Sequence, residues 1–166
     1  MRNILKKSLV VGAICSIIFA VPAFAKTESF YPNNSERCER EATAMDTTRG
    51  DYISVSNSGV TNAGGGAIGI SAATTAHVPV DKIRIHLYLD RLDADERWTQ
   101  VDDFDFTFTP EDDPSGELTI ATVSFEVNNQ PSGYYYRVRG THGVWKNGVI
   151  ETQSTRTNGV MITNTP

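Results

Sequence analysis

Between Lys82 and Leu92 the chain alternates strictly. Ile83, Ile85, Leu87 and Leu89 fall on one side, and Arg84, His86, Tyr88 and Asp90 on the other. An extended strand turns successive side chains to opposite faces, so this period of two predicts a half-buried antiparallel strand. The same period recurs along most of the chain after Gly50. Tyr52–Ser56 opens it, and Ile68, Ile70 and Ala72 alternate with small residues. Trp98–Thr109 sets Phe104, Phe106 and Phe108 against Asp105 and Thr107. Leu118–Val127 offers Ala121, Val123, Phe125 and Val127 as an inner set. Tyr134–Arg139 sets Tyr134, Tyr136 and Val138 against Tyr135, Arg137 and Arg139, and Val149 to Arg156 follows.

Turn chemistry separates these segments. Asn62–Gly66 (NAGGG), Asp93–Glu96, Pro110–Gly116 (PEDDPSG) and Asn128–Gly133 (NNQPSG) are rich in residues that favour turns. Asn147-Gly148 suits a type I′ hairpin, because both residues tolerate positive φ. Asn158-Gly159 marks a further kink before Val160–Ile162. About seven short strands spaced by turns, with no helical stripe between them, predict an antiparallel β-sandwich of immunoglobulin or fibronectin type III style. A small β-barrel is the alternative. Tyr134 or Tyr136 stands where a tyrosine corner belongs, near the start of a late strand.

The N-terminal pattern differs. Arg2, Lys6 and Lys7 precede an apolar block, Ser8–Ala20, and Ala23-Phe24-Ala25 follows. Positive start, apolar centre and A-x-A site are the parts of a secretory signal peptide. The block is shorter than the roughly 20 residues of a bilayer span, and Ile14 beside Cys15 does not suit lipidation. Cleavage after Ala25 starts the exported protein at Lys26. Residues 26–49 lack an apolar period and are expected to be a polar linker or pro-segment, with one short helix possible over Ser35–Met45. Residues 50–166 form the β-domain.

Losing Arg2, Lys6 and Lys7 takes the formal net charge from −5 to −8. That balance argues against nucleic acid and anionic lipid as partners. No second apolar run follows, so no stable membrane insertion is expected after cleavage. Cleavage also removes Cys15, so Cys38 has no internal disulfide partner. An odd exported cysteine pairs between chains or stays a thiol, and here it is read as incidental.

The segment Gly133–Gly143 (GYYYRVRGTHG) continues through Asn147-Gly148, Glu151-Thr152, Ser154-Thr155 and Thr157–Gly159. Together with Ile85–Leu92 and Trp98, it resembles a family of small secreted proteins of Gram-positive bacteria with no known function. The likeness runs from about Gly50 to Thr163. It implies a compact secreted β-domain, and it implies no activity and no catalytic residues.

Catalytic patterns are thin. His77, His86 and His142 lie in no nucleophile elbow, there is no G-x-S-x-G, and no zinc spacing joins them. No enzyme activity and no cofactor are expected. Calcium is the metal that the residue types favour, since hard cations take several oxygen ligands. Asp90, Asp93, Asp95 and Glu96 are its candidates, with Glu111–Asp113 and Asp102, Asp103 and Asp105 as further acidic groups. Solvated charge at strand edges explains the same residues without a metal.

The expectation is a secreted, non-enzymatic binding module. Its partner would be an envelope glycan, an extracellular protein or another copy. Aromatic rings anchor recognition surfaces, which selects Trp145, Tyr135 and Tyr88, with Arg137 and Arg139 beside them. Trp98 is expected in the core. Two alternatives are a secreted antagonist of bacteriocin or toxin type, and a hydrolase with a site assembled from distant residues.

Overall fold

The computed structural model describes residues 37–38, 40–48 and 50–166. The expected signal peptide and cleavage site lie outside the described residues. Ten strands follow in order: β1 (Arg37–Cys38), β2 (Glu41–Asp46), β3 (Ile53–Gly64), β4 (Ala67–Ala76), β5 (Lys82–Leu92), β6 (Trp98–Phe108), β7 (Ile120–Val127), β8 (Tyr134–Lys146), β9 (Val149–Arg156) and β10 (Gly159–Ile162). Pro110–Asp112 adds one turn of 3-10 helix, and the described residues hold no α-helix.

The strands form two sheets. A four-stranded antiparallel sheet has the order β2-β3-β4-β7. The other sheet, of six strands, runs β1-β10-β8-β5-β6, with β9 also paired to β8. Among the described residues, only β1 runs parallel to its neighbour. The long strand β8 carries β5 along one edge. Its other edge is shared by β10, at Tyr134–Tyr136, and β9, at Arg139–Lys146. Two separate sheets with open edges make a sandwich and exclude the closed barrel.

The strand count exceeds seven mainly because β1 and β2 come from the segment read as linker. β2 pairs with β3 along its whole length, Glu41 opposite Thr61 through Asp46 opposite Ser56. Glu41–Asp46 is therefore strand where a polar linker or pro-segment was expected, with a short helix as the alternative. Its one buried side chain is Ala42, so no large apolar period announces it. Pairing to β3 decides the conformation.

The core follows the alternation. Ile83, Ile85, Leu87 and Leu89 are fully buried, with Ile53, Val60, Ile68, Val138 and Val144 around them. Trimming any such side chain to alanine costs about 2–5 kcal/mol. Phe104 and Phe106 of β6 pack on Phe125 of β7, with ring centroids 4.8 and 5.5 Å apart, and close one side of the sandwich. Tyr136 is the tyrosine corner: its hydroxyl donates to the Pro131 carbonyl at 3.1 Å, five residues upstream. Burial, its largest influence, pushes the Tyr136 phenol pKa up.

Part of the interior is polar. His142 lies fully buried between the sheets. Its Nδ1 is 2.8 Å from Thr74 Oγ1, and its Nε2 is 3.0 Å from Thr155 Oγ1. Ser58 Oγ bonds Thr155 Oγ1 at 2.6 Å, and Ser56 Oγ donates to Gln153 Oε1 at 2.7 Å. Nearby, the Glu151 carboxylate accepts the backbone N–H groups of Tyr52 and Ile53. This seam ties β3 and β4 to β8 and β9 by bonds that specify one registry, since each buried polar group left unmatched costs about 1–3 kcal/mol.

Candidate functional site

The register of the six-stranded sheet fixes what its outer face displays. Across β8 and β5, Trp145 stands opposite Lys82, Gly143 opposite Arg84, Thr141 opposite His86, Arg139 opposite Tyr88, and Arg137 opposite Asp90. β9 extends these rows with Ile150, Thr152, Ser154 and Arg156. β6 extends them with Thr107, Asp105, Asp103 and Gln100. Period-two geometry sends all of these side chains away from the core. The face thus gathers cations, hydroxyls and aromatic rings.

The outer face of the four-stranded sheet contrasts with it. There Thr61, Gly69, Ser71, Ser124 and Glu126 border a shallow depression of about 510 Å3. Phe125, in the same strand, turns inward to Phe104 and Phe106. Small hydroxyl side chains dominate this second face.

Toward one end of the first face lies a buried ion cluster. Asp90 and Arg137 have no exposed side-chain surface, and Arg139 retains 15%. Arg137 Nε donates to Asp90 Oδ2 at 3.0 Å. Arg139 binds the same carboxylate through Nε, at 2.7 Å to Oδ2, and through a terminal nitrogen, at 2.9 Å to Oδ1. Arg139 also reaches Gln100 Oε1 at 3.3 Å. Trp98 covers the cluster, its indole 4.3 Å from the Arg137 guanidinium carbon. Gly159 makes room for the ring, since a Cβ there would lie 2.7 Å from the indole edge. Burial pushes the Arg137 pKa down. Asp90 pulls it up, and Arg156 and Arg139 push it down further.

Beyond the cluster the face opens. Tyr88 carries the Arg139 guanidinium over its ring at 4.8 Å and stacks on His86 with centroids 4.3 Å apart. His86 Nε2 meets Asp103 Oδ2 at 2.9 Å, and its Nδ1 lies 3.1 Å from the Tyr88 hydroxyl. Two shallow depressions flank Tyr88. One, about 330 Å3, is bounded by Tyr88, Arg139, Thr141, Ser154 and Arg156. The other, about 300 Å3, is bounded by Arg84, His86, Gly143, Trp145, Ile150 and Thr152. Trp145 leans across Gly143, where a Cβ would sit 2.8 Å from its ring, and the Lys82 ammonium rests 3.9 Å from the ring centre.

Of the residues expected to bind a ligand, the structure brings Trp145, Tyr88 and Arg139 to the two depressions. Tyr135 lies further along β8, with the Arg37 guanidinium 5.3 Å from its ring. Arg137 faces the expected side but is fully covered, because Trp98 folds over it and Asp90 holds it from below. Trp98 is buried as expected, though on the outer face and not between the sheets. Its Nε1–H has no hydrogen-bond partner among the described residues. Lys82, Arg84, His86, Thr141, Ile150, Ser154 and Arg156 were missed. Alternation gave each residue a face, but the pairing register that groups them is not written in any one strand.

The calcium candidates are engaged elsewhere. Asp90 belongs to β5, not to the turn. Asp93 accepts from Arg91 and from Thr99 Oγ1, Asp95 pairs with Arg97 at 3.4 Å, and Glu96 pairs with Arg37 at 3.6 Å. Asp105 pairs with Arg84. Asp112 and Asp113 accept local turn hydrogen bonds. Among the described residues, no group of three or more His, Cys, Asp or Glu side chains is placed to hold a metal ion. Both nitrogens of His86 face Asp103 and Tyr88. The hydroxyls around His142 are sealed between the sheets, so neither histidine presents an accessible activated serine or threonine.

Residues 27–160 match the profile of DUF6147, a family of unknown function. The match spans most of the chain, and the protein belongs to that family. A comparison with curated proteins found no match. Among solved structures, one similar chain is Spo0M, the sporulation control protein of Bacillus subtilis. It is 11% identical, with a TM-score of 0.35, over 76% of this chain and 50% of that one. The match spans about half the length of that structure.

Proposed function

We propose that this member of the DUF6147 family is a secreted, non-enzymatic binding module whose recognition surface is the outer face of the six-stranded sheet. The ligand class that the chemistry favours is an extended envelope glycan. The observation that carries this reading is the asymmetry of the two outer faces. One displays Trp145, Tyr88, Ile150 and several cations around two depressions, while the other displays mainly small hydroxyl residues.

Sugar rings place C–H groups on aromatic planes and hydroxyls on polar side chains. Trp145 and Tyr88 supply the planes; Thr141, Thr152 and Ser154 supply the polar contacts. Depressions of about 300 Å3 are at the small end for ligand sites. They are open, which suits units of a longer chain better than an enclosed small molecule. Trp145 and Arg139 are six residues apart on β8, or about 20 Å at strand rise. A ligand touching both is an oligomer. The rings are also held in place, Trp145 by Lys82 and Tyr88 by His86 and Arg139, so little side-chain entropy is lost on contact.

The test is retention of purified protein on cell-envelope polysaccharide. Trp145→Ala is expected to lower retention while far-UV circular dichroism and melting stay unchanged. Equal retention of variant and wild type removes the outer face from the account.

A further inference from the structure

β7 is an edge strand. Among the described residues it pairs with β4 alone, in unbroken register from Ile68 opposite Val127 to Thr75 opposite Ile120. One step beyond that ladder the Ala76 N–H donates to the Thr119 carbonyl. Antiparallel partners alternate between bonded and non-bonded pairs. Ala121, Val123, Phe125 and Val127 therefore turn their N–H and C=O groups to β4, and Ile120, Thr122, Ser124 and Glu126 turn theirs to the open edge. The side chains of the latter set are exposed. Val123, Phe125 and Val127 point inward yet are only partly buried, as are Phe104, Phe106 and Phe108 of β6 across the sandwich.

Unpaired main-chain groups beside apolar side chains are a template for another strand. β6, the other edge on this side, is guarded against that. Its pairing with β5 is irregular between Leu89 and Asp90, and exposed Asp102 lies opposite inward-facing Leu89. Antiparallel self-pairing of β6 centred on Asp103, Phe104 or Asp105 would set aspartate against aspartate, and like charges directly opposite destabilise. β7 has no proline, no lysine, no bulge and no inward charge.

We propose that β7 pairs antiparallel with β7 of a second copy, about a two-fold axis through Val123. In that register Ile120 lies opposite Glu126 of the second copy and Thr122 opposite its Ser124, and every open N–H group of β7 finds a carbonyl. No charge meets its like. The methylenes of Glu126 cover Ile120, whose side chain is otherwise 49% exposed. On the inner side Val123 meets Val123 at the axis, and small Ala121 meets large Phe125. Length, charge and side-chain size all match, which selects a second copy over a strand of unrelated sequence. The axis stands perpendicular to the joined sheet, so the outer faces of the two six-stranded sheets point to the same side. That suits two-point contact with one long polymer. The pairing uses neither Trp145 nor Tyr88, so its failure leaves the proposed recognition face standing.

The experiment is sedimentation velocity of the purified protein from low to high micromolar concentration. Wild type is compared with Ser124→Pro, Ile120→Glu, Ile120→Lys and the double variant Ile120→Glu with Glu126→Lys. Wild type is expected to interconvert between monomer and dimer. Proline at position 124 removes an N–H that faces the open edge and not β4, so the internal ladder stays whole while the dimer is lost; melting verifies the fold. Position 120 is exposed, so the charge variants keep the test open even where the proline variant fails to fold. Each dimer holds the contact between 120 and 126 twice. Ile120→Glu is therefore expected to weaken dimerisation about fivefold and Ile120→Lys to tighten it about fivefold, with the double variant restored to the wild-type constant. Amide exchange at Ile120, Thr122, Ser124 and Glu126 should slow as wild-type concentration rises. A protein that stays monomeric throughout overturns the proposal and leaves the edge to a strand of another protein. A dimer that every variant forms as tightly as wild type lies on another surface and overturns it too, as do species that grow beyond a dimer.

Discussion

Replacing His142 by glutamine removes the one histidine sealed inside the sandwich and gives a quantitative test of the polar seam. Burial lowers the His142 pKa from 6.5 to about 4, against a smaller opposite pull from Asp46 on β2. The neighbours that contact the ring, Thr74, Thr155 and Ser58, are neutral hydroxyls. Between those two pH values the unfolded chain binds a proton at this residue and the folded chain does not. Stability from this group is therefore complete above pH 6.5 and falls as pH drops toward 4. At about 1.4 kcal/mol per pH unit, the loss over the window is roughly 3 kcal/mol. Glutamine keeps a donor and an acceptor but does not titrate. Urea unfolding at pH 7, 5.5 and 4 reads the difference: wild type should lose roughly 3 kcal/mol more than His142→Gln across the series. Equal acid slopes in the two proteins would refute the reasoning, as would an NMR titration of the His142 ring with a midpoint near 6.5.

Three further outcomes follow from the same geometry. Asp90→Asn leaves two guanidiniums of the covered cluster without their shared carboxylate, so urea unfolding should show a loss of about 3–5 kcal/mol; a loss below about 1 kcal/mol contradicts a desolvated cluster. Gly140→Ala places a Cβ 2.6 Å from Thr155 Oγ1 and 2.7 Å from both His142 Nε2 and Ser58 Oγ. It should cost about 1–3 kcal/mol by forcing the seam apart, and an unchanged denaturation midpoint would show that the seam yields freely. Millimolar calcium should leave the melting temperature unchanged, because the candidate carboxylates are held by arginine and threonine; a rise that saturates with calcium would restore the metal reading.

The fold was legible wherever burial had a simple period. Ile83 to Leu89, the phenylalanines of β6 and the inner set of β7 all lie on the faces that alternation assigns. The Asn147-Gly148 hairpin has positive φ at both residues, 51° and 77°, as a type I′ turn requires. Tyr136 forms the corner that its position suggested. β2 was illegible because its inward residues are alanines, whose burial leaves little hydrophobic signature. The polar seam was hidden for a related reason: Ser56, Ser58 and Thr74 occupy inward positions that a hydrophobic pattern cannot mark.

The site was half legible. Alternation puts Arg137, Arg139 and Tyr135 on one face of β8, and it puts Tyr88 and Asp90 on one face of β5. It does not say that Asp90 stands opposite Arg137, nor that Trp98 reaches across from β6 to cover that pair. Those facts depend on register and on an irregularity between Leu89 and Asp90 in the β5–β6 pairing, and register is set by long-range packing. The same register brings Ser154 and Arg156 from β9 beside Thr141 and Arg139, which turns scattered residues into one surface.

The central claim, that this surface is where the ligand binds, is tested most directly by an NMR shift map recorded while oligosaccharides released from cell-envelope polysaccharide are added to the labelled protein. The account predicts perturbed amides at Tyr88, Arg139, Thr141, Trp145 and Ser154, with Thr61, Ser71 and Ser124 on the opposite face silent. Shifts confined to the opposite face, or no shifts at all, would contradict it.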